Sequence, residues 1–194
     1  MSAKRATPNA SPRKRSALSL LGASELGAVL DGLLRARPEL RPEAELIARG
    51  QLADTSQEAV AEELEWKLRS LSSAELHGHA DRQRWGYVEP TEAAWDLLSE
   101  SVEPYHREIE RLRALGIITA AIETALGVVD ALYRCRGRHD SELLLSWAPD
   151  FPVEEACSVV DGLAKAGIAV PPDRFDDAAP EWADAPSRAL RASA

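Results

Sequence analysis

The sequence predicts an all-α fold on three observations. The apolar residues are mostly Leu, Ala and Val, with only two Phe and three Tyr, a balance that favours helix over sheet. Apolar side chains return every three or four residues through most of the chain, the spacing of one helix face. Proline and glycine read as punctuation at helix ends, and runs of Ile, Val and Thr that would suggest strands are few. Hydrophobic residues make up 45% of the 194, enough for a core in one domain or two small ones. The expected architecture is about eight helices in a helical bundle or a short helical-hairpin, solenoid-like array, with disordered N- and C-terminal tails.

Residues 1–17 mix Ser, Ala and Pro with bases and show no apolar period, so they read as a disordered arm. The helical domain is expected over 18–170. Ser24 is placed to cap a first helix whose Leu26, Val29, Leu30, Leu33 and Leu34 form one stripe, ended by Pro38. Pro42 suits the first turn of a short helix to Gly50, with Leu46 and Ile47 facing inward. Thr55 and Glu58 have capping-box spacing, followed by Val60, Leu64, Leu68 and Leu71 at helical intervals. Ser72 and Glu75 repeat the spacing and predict a further short helix. Residues 77–90 have no helical period and read as the longest interior loop, a type of segment that is often functional.

Pro90 and Thr91 open the longest predicted helix. Its Trp95, Leu98, Val102, Tyr105, Ile109 and Leu112 form a heptad-like seam, read as packing within the chain. Pro104 lies inside that seam and predicts a kink, or two helices meeting end to end. After Gly116, a helix to about Arg136 carries Ile118, Ile122, Leu126, Val129 and Tyr133. Asp140 or Ser141 is placed to cap a short helix through Trp147. Pro152 starts a last helix with Ala156, Val159, Val160 and Leu163 inward and Gly167 at its end. Leu112–Ile117 and Leu163–Ile168 share the pattern Leu-x-x-x-Gly-Ile, which fits either a repeat or simply the usual way a helix ends. The Pro/Ala/Asp-rich stretch 171–194 reads as an extended tail from which Phe175 and Trp182 dock back onto the body.

The net charge of −9 is unevenly spread. Residues 1–15 carry five bases and no acid, and 171–194 carry five acids against three arginines, so 16–170 hold −12. So acidic a body argues against a broad nucleic-acid face. No apolar run approaches the roughly 18 residues of a membrane span, and there is no secretory h-region. Two cysteines, Cys135 and Cys157, make no disulfide framework, and a cytoplasmic setting is expected.

No motif commits the chain to a reaction. There is no nucleophile elbow, phosphate loop or dinucleotide fingerprint. His77 and His79 are two ligands where zinc needs three or four, and His106 and His139 have no spacing that joins them. Glu103 and His106 form a single Glu-x-x-His pair where a di-iron bundle needs two. Cys135 lies among Arg134, Arg136 and Arg138, which would lower a thiol pKa but more simply decorate the negative end of a helix. No catalytic residue, metal ligand or cofactor is therefore assigned, and the chain reads as leaning away from an enzyme.

The best local candidates for recognition are Arg82, Arg84, Trp85 and Tyr87 in the irregular loop, because Arg, Trp and Tyr are enriched at binding hot spots. Lys4, Arg5, Arg13, Lys14 and Arg15 form a basic arm that would touch acidic partners weakly and in a salt-sensitive way. The expected function is a non-enzymatic helical protein–protein interaction module, with a protein partner and no membrane. Two alternatives are a nucleic-acid-associated regulator using the basic arm, and a helical enzyme whose site is assembled from distant residues.

Overall fold

One helix, buried over almost its whole length, organises the larger part of the chain. In the computed structural model, which describes residues 17–72, 89–136 and 144–182, the chain is all-α. Seven α-helices are seen among those residues: α1 (Ala23–Ala36), α2 (Arg41–Ala53), α3 (Gln57–Ser70), α4 (Pro90–Ala114), α5 (Ile118–Cys135), α6 (Phe151–Lys165) and α7 (Pro172–Ala178). Four short 3-10 turns accompany them. None of these helices is long and apolar enough to cross a membrane. Two compact units divide after Ala48, a boundary that lies within α2.

The larger unit is a bundle around α5. Ala120, Ala121, Ala125, Leu126, Val128, Val129, Ala131 and Leu132 are all buried, so α5 has almost no solvent face. Helices α3, α4, α6 and α7 pack on it from different sides. The sequence stripe Ile118–Tyr133 describes only one flank of α5, and Ile118 at its start is 38% exposed. The small residues let neighbours come close, and α3 comes closest. A Cβ added at Gly127 would lie 2.6 Å from Val60 Cβ and 2.7 Å from the Gln57 carbonyl oxygen. Gly127 is thus a mid-helix packing residue and not the helix end that glycine suggested.

The stripes of α3, α4 and α6 pack as their spacing predicts. Leu64 and Leu68 of α3, Leu98, Val102, Ile109 and Leu112 of α4, and Ala156, Val159, Val160 and Leu163 of α6 are buried. The cap of α3 is Ser56, whose Oγ accepts from the Ala59 amide, one residue later than the capping-box spacing implied. Thr55 instead donates to the Leu52 carbonyl. Pro104 does not divide α4, which is one continuous helix. Pro104 and Glu100 are both exposed, so water can satisfy the carbonyl that the proline leaves without an amide. On the inner side, Lys67 Nζ of α3 donates to the Ser101 carbonyl at 3.0 Å.

Both Leu-x-x-x-Gly-Ile segments end helices in the same way. Gly116 and Gly167 have φ of +72° and +74°, in the left-handed region that favours glycine. The amides of Ile117 and Ile168 reach back to the carbonyls of Leu112 and Leu163, each at 2.9 Å, closing Schellman motifs.

Between Pro172 and Trp182 the chain is helical and not extended as the sequence suggested. Proline at the first helical turn costs no hydrogen bond, and α7 forms there with Phe175 fully buried. Trp182 then meets Tyr133 edge to face at 5.3 Å, so both aromatic residues of this segment dock on the bundle. Residues 1–16 of the predicted arm, 183–194 of the predicted tail and the predicted short helix after Ser72 fall outside those described, as do Asp140 and Ser141.

Gly127→Ala is expected to destabilise the bundle by about 1–3 kcal/mol, because the added methyl meets backbone as well as a side chain. Gly162→Ala, on the open face of α6 with nothing within 4 Å, should instead stabilise by roughly 0.5–1 kcal/mol. Urea midpoints of the two variants, compared at constant m, check both signs.

Candidate interaction surface

The smaller unit, described from Ala17, contrasts with the bundle in one respect. Neither α1 nor α2 contains a buried residue, and neither do the 3-10 turns beside them. Yet α1 is strongly amphipathic by sequence. Leu26 and Leu33 lie seven apart on one line of the helix, with Val29 and Leu30 between them. These four are between 42% and 48% exposed, and Leu18 and Leu20 just upstream are 54% and 67% exposed. The expected stripe therefore exists, but no described residue of its own unit covers it. Leu46 and Ile47 of α2, expected to face inward, are 72% and 58% exposed.

Helix α1 is held at its ends by local contacts. Its cap is Gly22 and not Ser24: the Glu25 carboxylate accepts from the Gly22 amide at 2.9 Å. Arg37 donates its amide to the Leu33 carbonyl before Pro38 turns the chain. Leu30 and Leu34 of α1, with Ala44 and Ala48 of α2, line a shallow groove of about 300 Å³ bordered by Asp31, Arg35, Arg41 and Glu45.

In the bundle, by contrast, the charged side chains are consumed by one another. Arg134 of α5 bonds Asp130 at 2.6 and 2.8 Å and reaches Glu58 of α3 at 2.9 and 3.1 Å, with Glu65 at 3.7 Å. Hydrogen bonding to Arg134 holds the Glu58 carboxyl below its ordinary range. Burial pushes the Asp130 carboxyl up in spite of the same arginine. Arg174 of α7 joins Glu123 of α5 at 3.0 Å and Gln57 of α3 at 3.1 Å, fastening the last helix. Arg136 lies over the Tyr133 ring at 3.3 Å, a cation–π contact.

His106 does not pair with Glu103 along its own helix. It bonds Glu155 of α6, and that carboxylate raises its pKa against the opposing effect of burial. The neighbouring Tyr105 hydroxyl is pushed up to about 12, first by burial and then by Glu63. Cys135 is buried at 1% exposure, which leaves no approach for a substrate. The Cys157 thiol is raised by burial and by Asp161 and Glu154, the opposite of an activated nucleophile. Among the described residues, no three His, Cys, Asp or Glu side chains come together to hold a metal ion.

The sequence candidates Arg82, Arg84, Trp85 and Tyr87, the basic arm Lys4, Arg5, Arg13, Lys14 and Arg15, and His77, His79 and His139 lie outside the described residues. The exposed character of the α1 stripe was missed, because periodicity marks an apolar face without saying what lies against it. No protein-family model matches the chain, no curated protein matches its sequence, and no solved structure matches its fold.

Two outcomes test the polar contacts. Arg134→Met should destabilise by about 2–3 kcal/mol, since it strands the buried Asp130 while part of the pair is screened by water. Adding Asp130→Asn should recover part of that loss, and a double-mutant cycle by urea denaturation reads it. The raised His106 pKa predicts stability that is fully present below its ordinary value of 6.5 and is lost as pH rises through the higher folded value. Urea midpoints between pH 6 and 8 should therefore fall more steeply for the parent than for His106→Asn.

Proposed function

We propose that the protein is a non-enzymatic helical protein–protein interaction module, an adaptor, regulator or subunit of a complex. One observation carries this reading: the row Leu26, Val29, Leu30 and Leu33 stands about half exposed on a helix with no buried residue. A stripe at that spacing fits the helix-in-groove mode of recognition, in which i, i+3, i+4 and i+7 side chains anchor a helix on its partner. Contiguous exposed apolar surface on a charged protein marks an interaction site more often than an accident of folding.

The bundle supports the same reading from the other side. Arg134 and Arg174 are bonded to acids of the same chain and His106 to Glu155, and the more accessible thiol, Cys157, is poorly nucleophilic. Among the described residues the bundle offers no assembled set of acid, base and nucleophile. The outward side of α6 carries Glu154 and Asp161 beside Lys165, a surface that would repel phosphate. The two free thiols suit a reducing, cytoplasmic setting.

The test is capture from host lysate on the immobilised full chain, after nuclease treatment and at moderate salt. A stoichiometric protein should be retained by the parent and lost by the pair Leu26→Gln and Leu33→Gln. Retention that vanishes with nuclease or salt alone would move the function to the basic arm, and turnover of a small molecule by the isolated chain would overturn the reading.

A further inference from the structure

We propose that the exposed stripe of α1 is covered by the same stripe of a second copy of the chain, the two helices running antiparallel about a two-fold axis. The proposal rests on the interaction-module reading and names its occupant.

The first argument is geometric. A two-fold axis between Val29 and Leu30 sets Leu26 opposite the partner's Leu33, and Val29 opposite the partner's Leu30. Every layer of that contact is then aliphatic against aliphatic, so the stripe is its own complement, as an isologous interface requires. The second argument is one of area. The stripe side chains are 42–48% exposed, and Leu18 and Leu20 upstream of α1 54% and 67%. The six expose roughly 500 Å² of apolar surface, so two copies approach the ~1,000 Å² of a specific interface when Leu18 and Leu20 join the α1 stripe in the contact.

The third argument is electrostatic. With a net charge of −9, two copies repel one another over most of their surfaces. On α1 and its cap, however, Glu25 and Asp31 are balanced by Arg35 and Arg37, so this face brings two acidic bodies together with least repulsion. Glu25 lies in the first turn, the arginines at the C-terminal end, and Asp31 pairs with Arg35 on its own helix. Antiparallel pairing sets Glu25 of each helix beside the basic end of the other and opposes the two helix dipoles. A partner of strong charge would find no complementary excess here, which favours a second copy over a highly charged stranger.

Sedimentation velocity of the full chain, from micromolar to near-millimolar concentration, tests the proposal. The parent should dimerise. Leu26→Gln combined with Leu33→Gln should weaken association by at least ~100-fold, since each copy loses two leucines from the contact. Circular dichroism of that variant should be unchanged, because neither side chain is buried within the chain.

A second measurement reads the register. In a Cys157→Ser background, copies bearing Leu26→Cys are mixed with copies bearing Leu33→Cys and oxidised with copper–phenanthroline. Cross-links between the two kinds should exceed those between like copies. Predominant links between like copies would overturn the antiparallel pairing. A parent that stays monomeric, or a variant that dimerises as well as the parent, would overturn the second copy as occupant. The interaction-module reading would then stand or fall separately, on whether lysate capture of a different protein depends on the same leucines.

Discussion

The approach of α3 to α5 at Gly127 is the constraint on which the bundle depends. Val60 and the Gln57 backbone occupy the space where any other residue would carry its Cβ. Because α5 is lined with alanines on its other flanks, α4 and α6 also come in close, and the core is built from Leu, Val and Ala with few aromatics. Close-packed small side chains tolerate little change in volume, so one helix position sets the separation around which the other layers are fitted. Trp95 against Phe151, edge to face at 5.1 Å, fills the wider space where α4 meets the start of α6.

Ionic contacts finish what packing begins. Gln57 and Glu58 open α3, and each meets an arginine from another helix: Arg174 from α7 and Arg134 from α5. The same end of α3 is therefore pressed on Gly127 and tied on both sides, which fixes its rotation as well as its distance. Such partly buried pairs add little net stability, because desolvation offsets much of the Coulombic gain. What they add is orientation. Asp130, held up in pKa by burial, would be costly in any arrangement that did not bring Arg134 to it.

Much of the bundle was legible in the sequence. Leu64 and Leu68, the α4 seam from Leu98 to Leu112, and the inward row of α6 are buried as their three- and four-residue spacing required. The two Schellman ends were visible as Leu-x-x-x-Gly-Ile, since a left-handed residue at that position is nearly always glycine. Other features were hidden for identifiable reasons. Gly127 looks like any glycine until the helix it faces is known. The prolines at 171 and 172 suggested extension, although proline also fits a helix's first turn. His106 has Glu103 near it in sequence, yet Glu155, 49 positions away, is its partner. For α1 the period was right and the burial wrong: a repeat reports that a face is apolar and carries no information about what covers it.

That last feature bears on how the sequence is free to change. A leucine in α5 or α6 is held in place by the fold itself, and its loss is punished in every molecule that attempts to fold. No residue of α1 is under that restraint, since none is buried. Drift would therefore exchange Leu26, Val29 and Leu33 for polar residues at little cost to folding, unless something besides folding opposes it. In a comparison across lineages, the bundle would record selection for folding, and the face of α1 would record only selection for contact.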